Sequence, residues 1–299
     1  MVWMVCGSGF LGSAFNAKVD TIALEPNFHR SLRYSHLASS QDLNQQFEFF
    51  KQFKPTIFLN ASGSSNVSDS LHQKSHFELG PVMSVEAHFN ILRKLQSPPT
   101  YIYISSGAVY GETSRSGADE YAVLNPISPY GVGKVNAEHY LEKVAADYGI
   151  PVIILRIFSS YSETLRSRLP YSIVNKFQNS RNAVFDGTGN EYRDFIHTDD
   201  IIAATQQIAE FSTGISFSKW NIGSGVALSV SNIVEIASKV FNESYDGLKY
   251  SYDFNNVTRP ADPINLIADI SKLNSISFEP KHDPNDGLAS YFRQFSHDN

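Results

Sequence analysis

Tyr130 and Lys134 stand four residues apart in the segment SPYGVGK (128–134), directly after Pro129. A free tyrosine has a pKa of about 10, so it is a poor base at neutral pH. A lysine cation nearby favours the phenolate and lowers that pKa. Residues i and i+4 share one face of a helix. If a helix begins near Pro129, the pair predicts a tyrosine activated for proton transfer.

Two serines end an apolar run upstream of this pair. Ser105 and Ser106 close the segment TYIYISS (100–106), which reads as a buried strand. A hydroxyl at the end of that strand could hydrogen-bond the substrate oxygen that Tyr130 protonates or deprotonates. With a bound dinucleotide, such groups suffice for hydride transfer at a carbinol or carbonyl.

A glycine loop that could bind the dinucleotide follows the apolar start MVWMVC. Gly7, Gly9 and Gly12 have G-x-G-x-x-G spacing between a predicted strand and a predicted helix. These glycines permit a tight turn and let the backbone approach a pyrophosphate, and the helix N-terminus offers free N–H groups. The loop therefore favours dinucleotide binding over an ordinary strand-to-helix turn.

Glu25 closes the second predicted strand, TIALE (21–25), where an acidic side chain would hold the hydroxyls of the adenosine ribose. A carboxylate would repel the 2′-phosphate of NADP, so Glu25 favours NAD. Arg30 and Arg33 lie close behind and could instead bind that phosphate. NADP therefore stays an alternative.

Strands and helices alternate along the chain, which predicts an α/β fold with a Rossmann-like doubly wound parallel sheet. A smaller C-terminal substrate-binding region is expected to interleave with it, because no linker separates the parts. We predict a dinucleotide-binding domain of 1–158 plus 195–225 and a substrate-binding region of 159–194 plus 226–299. The predicted elements are strands at 1–6, 21–25, 55–61, 100–106 and 151–158 and helices at 78–95 and 130–148.

Composition excludes several classes of protein. The 299 residues are 42% hydrophobic with a net charge of −6, which argues against nucleic-acid and acidic-membrane partners. A single cysteine, Cys6, excludes an intramolecular disulfide, and the chain has no signal-peptide pattern, so a cytoplasmic, soluble protein is expected. The histidine spacing predicts no metal site, and His88 and His139 are expected at the surface or an interface.

These motifs together resemble the extended short-chain dehydrogenase/reductase family, in its NAD-dependent nucleotide-sugar epimerase/dehydratase branch. The likeness runs nearly end to end and includes QDLN, LNASG, RIFSSY, GTGNEYRDFIHTDDI, WNIGSG and RPADP. It implies a Ser106–Tyr130–Lys134 catalytic triad. The cofactor-binding residues that it implies are Gly7, Gly9, Phe10, Leu11, Gly12, Glu25, Asp42, Leu43, Ala61, Ser62, Tyr130, Lys134 and Phe158. The substrate-binding residues that it implies are Ser106, Ser159, Arg193, Arg259 and Asp262.

The chain departs from the family pattern at three positions. Cys6 stands where the family usually has a glycine. Ser84 replaces an asparagine that supports the active-site loop, and Ser159 replaces one that contacts the diphosphate. The triad is intact, and Arg193 and Arg259 are expected to bind the substrate diphosphate, with Asp262 at the nucleotide ribose and Asp194 bracing its loop.

The residues after the predicted catalytic serine reduce the number of reactions that the chain could catalyse. Family dehydratases and decarboxylases carry acidic residues there, whereas this chain has Gly107 and Ala108, which cannot transfer a proton. Two reactions need only the triad and the cofactor: epimerisation at C4 of a nucleotide-diphosphate sugar, and reduction of a 4-keto-6-deoxy nucleotide sugar. Epimerisation is favoured, reduction is the alternative, and a catalytically silent dinucleotide sensor is the distant one. The resemblance also implies a homodimer formed through helices near 78–95 and 130–148.

Overall fold

The computed structural model describes residues 1–19, 21–25, 37–39, 43–64, 66–244 and 248–296, with the backbone alone at 21–25, 37–39 and 43–45. The strands are β1 (Trp3–Cys6), β2 (Thr21–Glu25), β3 (Leu37–Ser39), β4 (Ile57–Asn60), β5 (Thr100–Ser106), β6 (Val152–Ile157), β7 (Ser159–Tyr161), β8 (Asn182–Phe185), β9 (Tyr192–His197), β10 (Phe217–Ile222), β11 (Ala227–Ser229), β12 (Ser251–Phe254) and β13 (Asn265–Leu266). The helices are α1 (Phe10–Lys18), α2 (Leu43–Phe53), α3 (Val67–His72), α4 (Lys74–Leu92), α5 (Pro129–Tyr148), α6 (Arg168–Asn179), α7 (Thr198–Phe211), α8 (Val230–Ser244), α9 (Ser271–Ser275) and α10 (Pro284–Arg293).

The main sheet has the strand order β10-β6-β5-β4-β1-β2-β3. Strands β3, β2, β1, β4 and β5 pair in parallel. The order reverses between β1 and β4, and ligands of such sheets bind beyond the strand ends at this switch point. The predicted doubly wound α/β fold is confirmed.

The chain forms two compact units. The first contains Met1–Val109, Ser128–Arg156 and Thr205–Trp220, and the second contains Tyr110–Ile127, Ile157–Ala204 and Asn221–Asn299. The predicted domains were defined by the ligand that each part would bind, and their boundaries stay a prediction. No helix in the described residues is long and apolar enough to span a bilayer.

Helix α5 begins and ends where its sequence dictates. Pro129 occupies the first turn, and the Ser128 side chain caps it by accepting a hydrogen bond from the Gly131 amide at 3.1 Å. Gly149 ends the helix in the left-handed conformation, at φ 64°. The predicted helix at 130–148 is confirmed, and its first turns carry Tyr130 and Lys134.

Helix α4 packs against α5 at close range. A Cβ built at Gly133 of α5 would lie 1.9 Å from the backbone oxygen of Phe77, so a side chain at this position would clash with α4. The predicted bounds of 78–95 are wrong, because α4 begins at Lys74 and ends at Leu92. Pro81 lies inside the helix, although proline is usually found in the first turn.

The core of the first unit lies between the sheet and helices α4 and α5. It is built from apolar side chains at alternate positions of the strands and from those on the helix faces opposite the sheet. Their burial stabilises the fold by about 25 cal/mol per Å² of apolar surface removed from water. Its fully enclosed members include Met4, Phe58, Val85, Leu92, Tyr101, Leu141, Val152 and Ile154.

Candidate active site

Three glycines shape the loop between β1 and α1, each in a different way. Gly7 has φ 124°, and a Cβ there would lie 2.6 Å from the backbone oxygen of Ala61. A Cβ at Gly12 would lie 2.1 Å from the Gly7 oxygen. At Gly9, by contrast, no described atom lies within 4 Å of the added Cβ. Two glycines thus close the turn, and the third leaves the backbone open to a ligand.

Helix α1 starts directly after this opening. Gly9 is its N-cap, Phe10 and Leu11 are its first residues, and the Ser13 amide donates to the Gly9 oxygen at 2.9 Å. Residues 10–18, all of them described, place no acidic side chain in the first turn. The amide dipoles therefore present positive partial charge to an anion at the loop, and a dinucleotide diphosphate fits these residues.

Three predicted cofactor residues lie wholly or partly outside the described residues. Glu25 is the last residue of β2, and its partner in the parallel register is Ser39 of β3. Leu43 begins α2. The side chains of Glu25 and Leu43 and the whole of Asp42 lie outside the described residues, so their contacts with the adenosine stay predictions.

The loop after β4 is tied to the glycine loop. The Ala61 amide donates to the Cys6 oxygen at 2.8 Å. Ser62 donates to the side-chain oxygen of Asn60 from both its amide, at 3.0 Å, and its hydroxyl, at 2.6 Å. The Ser62 hydroxyl also lies 3.3 Å from that of Ser84. Ser84 therefore still contacts the loop from the position where the family usually has asparagine.

A buried polar network lies beneath this loop. The His88 Nδ1 lies 2.9 Å from the Tyr101 hydroxyl, which also accepts from the Asn60 amide group at 2.8 Å, and His88 Nε2 lies 3.8 Å from Cys6 Sγ. Burial lowers the pKa of His88 to about 4, so the ring is neutral. The burial of Cys6 raises its pKa to about 12 and keeps it a thiol.

The surface prediction for His88 is therefore wrong, whereas His139 is exposed as expected. His88 follows Val85 by three residues and precedes Leu92 by four, both of them buried on α4. This helical spacing is the signal that could have placed His88 on the inner face.

The triad residues Ser106, Tyr130 and Lys134 all belong to the first unit. Ser106 ends β5, and its hydroxyl accepts from the Ala108 amide at 3.2 Å. Lys134 Nζ donates to the Ile104 oxygen at 2.7 Å and lies 5.8 Å from the centre of the Tyr130 ring. Strand β5 thus fixes the lysine on the face of α5 that also carries the tyrosine.

Lys134 is buried, and its surroundings act on its pKa in opposite directions. Burial lowers its pKa to about 8, and the nearby Glu138 carboxylate partly offsets this. At neutral pH the side chain is mostly a cation, which is the form that favours a phenolate at Tyr130. Above about pH 8 that support is lost.

Sequence reasoning missed Glu138, whose carboxylate raises the pKa of Lys134, and its ion-pair partner Arg156. The Glu138 carboxylate accepts a 2.5 Å hydrogen bond from Ser105 and forms a 2.7 Å ion pair with Arg156, and both side chains of the pair are 1% exposed. Ser105 and Ser106 point to opposite faces of β5, since strand side chains alternate. The available signal was spacing, because Tyr130, Lys134 and Glu138 recur every four residues.

The second unit brings two of the predicted substrate residues together. Arg193, 7% exposed on β9, forms an ion pair with Asp262 and donates to the backbone oxygens of Tyr192, at 2.7 Å, and Ile264, at 3.3 Å. Arg259 is exposed and instead pairs with Asp186 at 3.0 Å. The guanidinium of Arg193 is thus held in a fixed orientation, whereas Arg259 is not enclosed.

Two further predicted residues stand at the end of β6 and the start of β7. The Phe158 ring is buried and stacks on Tyr110 at 6.1 Å between centroids, and its amide donates to the Ile222 oxygen. Ser159 opens β7 and pairs with Phe195 of β9. Both belong to the second unit, and their ligand contacts stay predictions.

Asp194 braces the loop at 224–225. Its carboxylate accepts from the amide and hydroxyl of Ser224 at 2.7 and 2.8 Å, and from the Gly225 amide at 3.0 Å. Burial raises the pKa of Asp194 to about 6, although these hydrogen bonds favour the charged form. A Cβ at Gly223 would lie 2.5 Å from the same carboxylate, so the loop must carry glycine there.

Comparison with known proteins adds a family match. The model of the family described as NAD dependent epimerase/dehydratase matches residues 5–223. A UDP-glucose 4-epimerase of Mycoplasma genitalium is 26% identical over 91% of this chain and 88% of its own.

Solved structures show the same fold. The UDP-glucose 4-epimerase of Thermotoga maritima, solved with UDP-glucose, has a TM-score of 0.81 at 22% identity, over 98% of this chain and 99% of its own. The dTDP-glucose 4,6-dehydratase of Streptomyces venezuelae, solved with NAD, has a TM-score of 0.84 at 19% identity, over 100% of this chain and 98% of its own.

The Glu138→Gln variant tests the buried network. Removing the carboxylate is expected to shift the alkaline limb of the pH–activity profile to lower pH, because Glu138 raises the pKa of Lys134. It also leaves Arg156 buried without a counter-charge, so the free energy of unfolding should fall by about 3–5 kcal/mol. The measurements are kcat/KM against pH and unfolding in urea.

The matched control is Glu142→Gln, one turn further along α5, where the carboxylate is exposed and pairs with Lys219. This variant should change neither the alkaline limb of the pH–activity profile nor the free energy of unfolding. An alkaline limb that stays in place in Glu138→Gln would contradict the electrostatic role.

Proposed function

The chain belongs to the NAD dependent epimerase/dehydratase family, and from this premise we propose that it is an NAD-dependent nucleotide-sugar 4-epimerase. The match spans the glycine loop and all three triad residues, and it confirms the family and the NAD-dependent enzyme class that the motifs predicted. The proposal includes the sugar and the nucleotide base of the substrate, for which we favour a UDP-hexose.

One observation carries the choice of reaction. The turn that follows Ser106, at Gly107–Val109, carries no carboxylate. Elimination of water needs a second acid and base at a neighbouring carbon, whereas epimerisation at C4 needs one proton-transfer group. A UDP-glucose 4-epimerase among the relatives favours epimerisation over reduction.

Each triad residue has a distinct role in this proposal. Tyr130, as the phenolate, accepts the proton of the C4 hydroxyl and later returns it to the same oxygen. Lys134, fixed by the Ile104 carbonyl, supplies the positive charge that stabilises the phenolate. The Ser106 hydroxyl hydrogen-bonds the C4 oxygen and orients it towards Tyr130.

NAD is the cofactor that we assign to the glycine loop. When bound, NAD supplies a nicotinamide that accepts hydride from C4 and gives it back. The open backbone at Gly9 and the first turn of α1 would hold the diphosphate, while Ala61 and Ser62 would line the cofactor. Glu25 would contact the adenosine ribose and favour NAD over NADP.

The test combines cofactor identity with turnover. The purified protein, with no cofactor added, is denatured and the released dinucleotide is identified by mass. We expect stoichiometric NAD, together with interconversion of UDP-glucose and UDP-galactose. Tyr130→Phe should lower kcat by about 10²–10⁴-fold, because it removes the acid/base group, with nucleotide-sugar binding retained.

Tyr148→Phe is the control, since Tyr148 is an exposed tyrosine at the end of the same helix. An unimpaired Tyr130→Phe enzyme would overturn the mechanism. Reduction of a 4-keto-6-deoxy nucleotide sugar with NADPH or NADH, without epimerisation, would make the chain a reductase. Dinucleotide binding without turnover of either substrate would make it a sensor.

Arg193 is proposed to bind the diphosphate of the substrate. Its guanidinium is nearly buried and held by two backbone oxygens, which leaves little orientation to be lost on binding. Asp262 would contact the nucleotide ribose, and Arg259 and Ser159 would add contacts to the diphosphate.

Removal of the guanidinium tests this assignment. Arg193→Ala should raise the Kd for the nucleotide sugar about tenfold or more, because a hydrogen bond to a charged group contributes about 1.5–3 kcal/mol. The Kd for NAD should not change. Arg181→Ala, at an exposed site of the second unit, is the control, and equal weakening of both ligands in Arg193→Ala would contradict the role.

A homodimer through α4 and α5 is the expected assembly. Leu79 and Met83 lie one turn apart on α4 and are 57% and 65% exposed, which leaves an apolar stripe for a second copy to cover. Neighbouring α5 would complete the interface.

A charge in the stripe tests the dimer. Met83→Glu should convert a dimer into a monomer of 33.3 kDa in light scattering, because the charge would be buried between copies. Val257→Glu, at an exposed position of the second unit, should leave the mass unchanged. A Met83→Glu protein that keeps the dimer mass would rule out this interface.

A further inference from the structure

The aromatic ring of Tyr103, on strand β5, lies beside the ammonium group of Lys134. The Nζ atom of Lys134 is 4.7 Å from the centre of the Tyr103 ring and 5.8 Å from that of the Tyr130 ring. The same nitrogen donates to the backbone oxygen of Ile104, the next residue along β5. Tyr103 is 2% exposed and Lys134 is 6% exposed, so the cation meets the ring away from bulk water.

The contact between Lys134 and Tyr103 has the geometry of a cation–π interaction. The faces of an aromatic ring carry negative potential, and they attract a cation that lies within about 6 Å of the ring centre. The attraction is strongest where both groups are removed from water. Because burial opposes the charge on Lys134, the ring supplies part of the stabilisation that keeps this side chain a cation.

The hydroxyl of Tyr103 is not the part that acts on the lysine. It is buried and has no hydrogen-bond partner among the described residues. Burial raises the pKa of Tyr103 well above the ordinary value of a tyrosine, and three neighbouring groups raise it further: Tyr101, Tyr130 and Glu138. The side chain is therefore neutral at physiological pH and does not serve as a second base.

The elements that pack around Lys134 carry other titratable groups. Among the described residues these are Tyr130 and Glu138 of α5, Tyr101 of β5, Arg156 of β6, Glu78 on the facing turn of α4, and Asp69 and His72 of α3. The two groups of α3 are exposed and screened by solvent, and Glu78 pairs with Lys74 at 3.8 Å. Glu138 is the one whose charge raises the pKa of Lys134.

We propose that Tyr103 is a positioning residue, whose ring holds Lys134 beside Tyr130 and keeps the lysine charged. The inference rests on the roles that the proposed function gives to Lys134 and Tyr130. Tyr103 acts through Lys134 and is assigned no contact with substrate or cofactor. Side chains alternate along a strand, so Tyr103 and the Ser105 that binds Glu138 lie on one face of β5. That face therefore carries both of the side chains that set the surroundings of Lys134.

Two substitutions separate the ring from the hydroxyl. Tyr103→Phe keeps the ring, whereas Tyr103→Leu removes it. The measurement is the ionisation of Tyr130 in the protein as purified, followed by tyrosinate absorbance and isolated by subtracting the titration of the same protein carrying Tyr130→Phe. In Tyr103→Leu this ionisation should move up by about one pH unit, because Lys134 loses its charge at lower pH. In Tyr103→Phe it should stay in place.

The pH–activity profile gives a second measurement. The alkaline limb of kcat/KM should move to lower pH by about one unit in Tyr103→Leu and should not move in Tyr103→Phe. Phe89→Leu is the matched control, because it removes a ring of the same buried core that packs on Tyr101 at 5.2 Å between centroids. It should lower the stability of the fold and move neither the limb nor the ionisation of Tyr130.

Replacement of Tyr103 by pentafluorophenylalanine keeps the shape of the ring but removes the negative potential of its faces. It should shift the ionisation of Tyr130 as Tyr103→Leu does, and it keeps the test valid if the leucine variant does not fold. An ionisation of Tyr130 that is the same in the wild-type, leucine and pentafluorophenylalanine proteins would overturn the inference. The titration uses no substrate, so its result is separate from the turnover that tests the proposed function.

Discussion

The first unit depends on one buried charge pair. Glu138 and Arg156 join helix α5 to strand β6, and the Ser105 hydroxyl adds strand β5 to the same carboxylate. A buried ion pair is stable only when its remaining hydrogen bonds are satisfied, and here the serine contributes one of them. The pair therefore fixes both the position of α5 and the electrostatic surroundings of Lys134. The positions of Tyr130 and Lys134 on α5 therefore depend on this buried interaction between α5 and the sheet.

Polar groups beneath the loop after β4 serve a related purpose. His88, Tyr101 and Asn60 connect helix α4 to strands β4 and β5 through buried hydrogen bonds. Such bonds are strong when complete and costly when broken, so they specify one arrangement of the loop. The neutral imidazole of His88 suits this role, because it can donate from one nitrogen and accept at the other.

The sequence predicted those features that local chemistry determines. The start of α5 near Pro129, the strands at Thr21–Glu25 and Thr100–Ser106, and the glycine turn all follow from short-range rules. The missed features depend on partners distant in the chain. Arg156 lies in the apolar segment VIILRI, and nothing in that segment reveals that Glu138 neutralises it. The pairing of Arg193 with Asp262 is created by the fold and has no counterpart in residue spacing.

The division of the chain has a consequence for its synthesis on the ribosome. Three separate segments build each unit, and the chain alternates between them from Met1 to Asn299. Most of strand β10, which lies beyond β6 at the edge of the main sheet, belongs to the last segment of the first unit. The first unit therefore cannot be completed during translation until residue 220 has emerged, after β7, α6, β8 and β9 of the second unit have been made. Neither unit corresponds to a continuous stretch of chain that could be expressed alone.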